Sequence, residues 1–125
     1  MSEDFPADVK EFLEQNIRSV AQVEVLLALY REPNRLWTSE EITSRLYLQR
    51  EMVSELLADL VRRGFAVRTE EGYSYRPANE TIGRLISRLA KLYQERRVAV
   101  TTEIFSRPID SVKAFADAFR LREEK

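Results

Sequence analysis

The sequence predicts a mainly α-helical protein with one small β-hairpin and with helical extensions at both ends of its core. Three observations lead there. Apolar residues recur at three- and four-residue intervals through most of the chain, the spacing that gathers them on one face of a helix. The stretch that departs from this period, 65–76, carries aromatic and β-branched residues in two short runs joined through Glu70-Glu71-Gly72. Finally, 125 residues with 44% hydrophobic content suit one ordinary core rather than several domains or a disordered chain.

Phe5-Pro6 leads into Val9, Phe12, Leu13 and Ile17, spaced as a first amphipathic helix of about three turns within residues 1–18. Ser19 then caps a helix in which Val20, Val23, Leu26, Leu27 and Tyr30 face inward, and Glu32-Pro33-Asn34 ends it because proline disfavours helix in the residue before it. Leu36-Trp37 is a short extended piece whose Trp37 is expected to be a buried anchor. Thr38-Ser39-Glu40-Glu41 is a capping box, so a third helix starts there, with Ile42 and Leu46 on one face. After a break at Tyr47-Leu48-Gln49, the stripe Val53, Leu56, Leu57, Leu60 and Val61 predicts a fourth helix from about Gln49 to Arg63, stopped by a left-handed cap at Gly64.

The hairpin follows as two strands around a three-residue loop, closed by Pro77. Asn79 caps a helix with Ile82, Leu85, Ile86, Leu89, Leu92 and Tyr93 in its stripe; extended to Phe105, it makes a rod about 40 Å long. Its weak point is Val98 to Thr102, where β-branched residues lower helix propensity. Asp110 or Ser111 caps a last helix carrying Val112, Phe115, Ala116 and Phe119.

Helix, turn, helix and hairpin in succession, with Val53-Ser54, Leu57, Leu60, Arg63-Gly64-Phe65 and Val67, resembles the winged helix-turn-helix domain, most of all that of MarR-like bacterial regulators. The resemblance covers roughly residues 19–77 and implies a winged helix-turn-helix core in which the hairpin is the wing. It implies a DNA-binding transcriptional regulator that acts as a homodimer on a two-fold operator and senses a small-molecule effector between the recognition unit and the C-terminal helices. Two departures stand out: Gln49 is a poor N-cap, and the turn lacks the glycine often found there.

Composition narrows the function classes. No cysteine and no histidine leave the chain without thiol chemistry, the commonest metal ligand and the commonest general base, so a non-enzymatic protein with no metal and no cofactor is expected. The acidic start and the lack of any long apolar run predict neither a targeting peptide nor a membrane span, and so a cytoplasmic protein. Net charge is −1, yet residues 35–107 carry thirteen basic and ten acidic groups and are the only net-basic stretch.

In a helix-turn-helix the N-terminal residues of the second helix reach base edges, which makes Gln49, Arg50 and Ser54 the expected base contacts, with Arg68 and Arg76 of the wing on phosphates. Glu51, Glu55 and Asp59 fall at four-residue intervals on the same helix and read as an outward carboxylate row. That row is the basis of the alternative, a winged helix that docks a basic protein partner. The expected dimerisation region is 78–125, through Leu85, Leu89, Leu92 and Tyr93 of the long helix with Phe115 and Phe119 of the last.

Overall fold

The structure, a computed structural model, describes residues 5–105. Along the chain run α1 (Ala7–Asn16), α2 (Val20–Arg31), α3 (Ser39–Leu46), α4 (Arg50–Arg62), β1 (Ala66–Thr69), β2 (Gly72–Tyr75), α5 (Glu80–Glu95) and α6 (Arg97–Phe105). Three helices start where the sequence supplies a capping side chain. Ser19 Oγ accepts from the Gln22 amide, Asn79 Oδ1 accepts from the Ile82 amide, and Thr38 and Glu41 bond reciprocally as a capping box. Caps of this kind contribute about 1 kcal/mol each.

α2 runs through the middle. Val23, Val25, Leu26, Leu27 and Leu29 are all fully buried on it, against α3, α4 and β2, while α1 packs on α5 and α6. Phe12 of α1 meets Phe65, at the start of the wing, with ring centroids 5.3 Å apart. The N-terminal helix, the recognition unit and the C-terminal helices therefore share one core. Among the described residues, no helix is long and apolar enough to cross a membrane.

The wing is tighter than the sequence implied. Thr69 pairs with Gly72, so the tip is the two residues Glu70 and Glu71 rather than a three-residue loop. On the other edge of β2, Tyr73 exchanges two backbone hydrogen bonds with Trp37, at 2.8 and 2.7 Å. Trp37 is buried, as expected, with the Arg35 guanidinium 3.6 Å from its ring centroid. The close approach explains Gly72: its φ is +147°, and a Cβ there would stand 2.5 Å from the Trp37 carbonyl oxygen. Gly64, at φ +84°, supplies the left-handed cap that ends α4, and its amide and carbonyl bond Val61 and Ala78.

The long rod does not form. α5 stops at Glu95 and α6 starts at Arg97, because Arg96 (φ −138°, ψ 58°) leaves helical geometry. Arg96 serves both ends, its amide donating to the Leu92 carbonyl and its carbonyl accepting from Val100. The bend falls just ahead of the β-branched run and carries Val100 and Ile104 into the core beside α1. It leaves α5 about 24 Å long. The final helix expected from Asp110 or Ser111 lies outside the described residues.

Gly72→Ala should therefore detach the wing from Trp37, since both the backbone angle and the space forbid a side chain. Urea unfolding is expected to show a loss of about 2–4 kcal/mol, with a smaller loss for Gly64→Ala, whose Cβ would meet only the Ala78 side chain at 3.1 Å.

Candidate nucleic-acid interface

α3 and α4 form the helix-turn-helix, and the turn between them is made without glycine. Tyr47 takes the left-handed conformation instead, at φ 59° and ψ 43°, with its amide bonded to the Thr43 carbonyl. A residue with a Cβ gives up about 1–2 kcal/mol to adopt this geometry. Gln49 follows as the N-cap of α4 in extended geometry and, as expected of a poor cap, its side chain caps nothing. Its exposed amide is left available.

Arg50 and Ser54 lie one turn apart on α4, both exposed, on the flank of the stripe that buries Val53, Leu57 and Leu60. Arg50 is held 3.3 Å from Glu40 of α3, a pair with both side chains about two-thirds exposed or more. Such a pair contributes little and is readily exchanged for another acceptor. The guanidinium is thus stationed at the start of α4 without being locked there. Arg68 and Arg76 line one shallow groove at the base of the wing, with Arg68 also 5.8 Å over the Tyr73 ring. Both are exposed.

The outward carboxylate row is shorter than its spacing implied. Glu51 and Glu55 are exposed, but Asp59 turns inward to accept from Gln22 Nε2 at 2.6 Å and Arg63 Nε at 2.7 Å, and it also pairs with Arg62. Burial raises the Asp59 pKa, but the hydrogen bond and charge of Arg63, joined by Arg62 and Gln22, outweigh it and hold the carboxyl below its usual value. Arg63 also donates to the Gln15 carbonyl and Asn16 Oδ1 at the end of α1, and Gln22 Oε1 accepts from the Arg18 amide. Arg62 and Arg63 are both engaged here. Arg45 of α3 stands 5.1 Å from the Trp37 ring centroid and 3.9 Å from Glu32.

Sequence reasoning missed this network. Its one visible sign is Gln22, a polar residue inside the apolar stretch of α2 and almost fully buried. Of the residues assigned to a dimer contact, Leu89 and Tyr93 lie in the chain's own core, because α5 folds back on α1 and α2. The Tyr93 hydroxyl donates to the Glu24 carboxylate, to which Arg97 also bonds at 3.0 Å. Burial and the Glu24 interaction push the phenol up to about 12, so it stays a donor. Leu85 and Leu92 are half-buried, and Phe115 and Phe119 lie outside the described residues.

No protein-family profile matches the sequence, and no curated protein matches it. Solved structures do. The chain superposes on MepR, described as a transcription regulator of the Staphylococcus aureus multidrug efflux pump MepA, with a TM-score of 0.54 at 18% identity, covering 99% of this chain and 93% of that one. The S. aureus MepR–DNA complex gives the same TM-score and identity over 99% and 91%. At this identity the likeness is one of fold, and the fold is the winged helix-turn-helix: six helices with a two-stranded antiparallel wing among the described residues.

Asp59→Asn should lower stability by about 1–2 kcal/mol at neutral pH, by weakening charge-assisted hydrogen bonds. A lowered folded-state pKa gives stabilisation that is present above the unfolded value near 3.9 and lost as pH falls through the folded value. Thermal melts of wild type and variant should accordingly differ at pH 7 and converge as the pH drops below about 4.

Proposed function

We propose that this chain is a cytoplasmic DNA-binding transcription regulator that acts as a homodimer on a two-fold operator. One observation carries the reading: the N-terminal turn of α4 presents Gln49, Arg50 and Ser54 to solvent, with no internal bond stronger than the exposed Arg50–Glu40 pair. Gln matches adenine and Arg matches guanine bidentately. The arginine-lined groove at the wing base supplies phosphate donors of a kind that fixes register without reading sequence. The inward turn of Asp59 removes one of the three carboxylates that would oppose a duplex. MepR, which has this fold, is solved in complex with DNA.

Dimer formation is supported by α6. Val98 and Phe105, seven residues apart on one face, are 77% and 74% exposed, and Leu85 and Leu92 of α5 are only partly covered. Together they make an apolar patch of the kind that association covers. An effector site fits the open cleft of about 620 Å³ between α2 and α5, where Arg31, Arg88, Lys91 and Arg97 surround the Tyr30–Ser87 hydrogen bond. Its lining suits a small anion.

Fluorescence anisotropy of labelled duplexes across salt concentrations tests the interface. Arg50→Ala should lose about 1–3 kcal/mol on the preferred site and flatten discrimination at one base pair per half-site. Arg68→Ala should instead weaken all duplexes alike and reduce the salt slope by about one for each phosphate that is no longer neutralised. Absence of binding at low salt would refute the reading in favour of a protein partner for Glu51 and Glu55. For the dimer, sedimentation of Val98→Ser/Phe105→Ser should show dissociation relative to wild type, and a wild-type monomer at micromolar concentration would rule the dimer out.

A further inference from the structure

Tyr47 has no structural explanation in the folded chain. It is the only non-glycine residue among those described with a positive φ, in the turn where glycine or asparagine is comfortable. Its side chain is 91% exposed, more than any other large apolar side chain in the described chain. It makes no hydrogen bond, ion pair or ring contact there. An aromatic ring at this position strains the backbone and recovers nothing by burial. The backbone of the turn is nevertheless fixed, because the Tyr47 amide bonds the Thr43 carbonyl, as does the Leu48 amide at 3.3 Å.

Its location supplies a use, on the reading that α4 enters the major groove. In that docking the first helix of the motif crosses the nucleic-acid backbone while the second points its N-terminus at the bases. Tyr47 is the residue after α3 and three before Arg50, so it travels along the groove edge, where phosphates stand. We infer that Tyr47 is a positioning contact for duplex DNA, its phenol O–H donating to a phosphate oxygen at the edge of the major groove beside the base-reading turn of α4. The left-handed turn aims the ring away from the protein, and the exposed phenol meets DNA without first breaking an internal bond. A neutral hydroxyl on a phosphate fixes register without displacing a counterion.

The test compares wild type, Tyr47→Phe and Tyr47→Gly by duplex titration across salt and by thermal unfolding, with Arg50→Ala as reference. Both Tyr47 variants should bind all duplexes at least about tenfold more weakly, the loss expected when a hydrogen bond to a charged acceptor is removed. The salt slope should stay at the wild-type value, unlike the slope after removal of an arginine. Tyr47→Phe should melt with wild type, and Tyr47→Gly no lower, so weakened binding cannot be ascribed to unfolding. If Tyr47→Phe binds as tightly as wild type while Arg50→Ala is impaired, this assignment fails and the DNA-binding reading stands. If wild type binds no duplex, both fall.

Discussion

The position of α4 depends on one partly buried carboxylate. Asp59 lies near the C-terminal end of α4, at the far end from Gln49 and Arg50, and gathers Gln22 from α2 and two arginines from its own chain segment. Through Arg63 and Gln22 the same network reaches the end of α1 and the α1–α2 turn. Leu57 and Leu60 supply the apolar adhesion of α4, but apolar contact is non-directional. Charge-assisted hydrogen bonds add direction, so the network fixes the roll and tilt of the helix on its neighbours. The wing follows α4 through Gly64, whose carbonyl accepts from Ala78, and through Phe65, whose carbonyl accepts from Arg76. Helix and wing are thus oriented together.

A second polar contact ties the C-terminal helices to the same scaffold. Glu24 of α2 receives both the Tyr93 hydroxyl of α5 and the Arg97 guanidinium at the start of α6, just past the bend. α2 therefore carries Gln22 toward α4 and, two residues on, Glu24 toward the bend. The open cleft between α2 and α5 adjoins the second of these contacts, since Tyr93 and Arg97 also line it. Arg97 therefore belongs both to the cleft lining and to the contact that holds α2 to the start of α6.

Much of this was legible because it is local. Ser19, Thr38 with Glu41, Asn79 and Gly64 each act within four residues, so their effect on helix ends follows from the sequence. Trp37 and the wing were legible from composition and order. What was not legible is long-range or depends on angle. Asp59 shares the four-residue spacing of Glu51 and Glu55, but a straight helix drifts relative to that spacing, and a residue two turns on can reach the flank where Gln22 waits. Leu89 and Tyr93 form an apolar stripe whether a second subunit or the chain's own α1 and α2 covers it; periodicity cannot name the partner. The bend at Arg96 was marked by the β-branched run, yet its place ahead of that run is set by Val100 and Ile104 reaching the core. Of the candidate interface, the residues of α4 and the wing were readable by position in the motif, whereas the left-handed Tyr47 was not, because nothing local asks a tyrosine to adopt it.

An overall charge of −1 is compatible with a nucleic-acid role because Arg50 stands at the start of α4 and Arg68 and Arg76 at the wing base, while Arg62 and Arg63 pair with Asp59. Selection of the full chain against a random-sequence duplex library tests that role most directly. Two copies of α4 reading one site predict an enriched, two-fold symmetric sequence with half-site centres about one helical turn apart. Recovery of no symmetric sequence, or of no bound duplex, would contradict it.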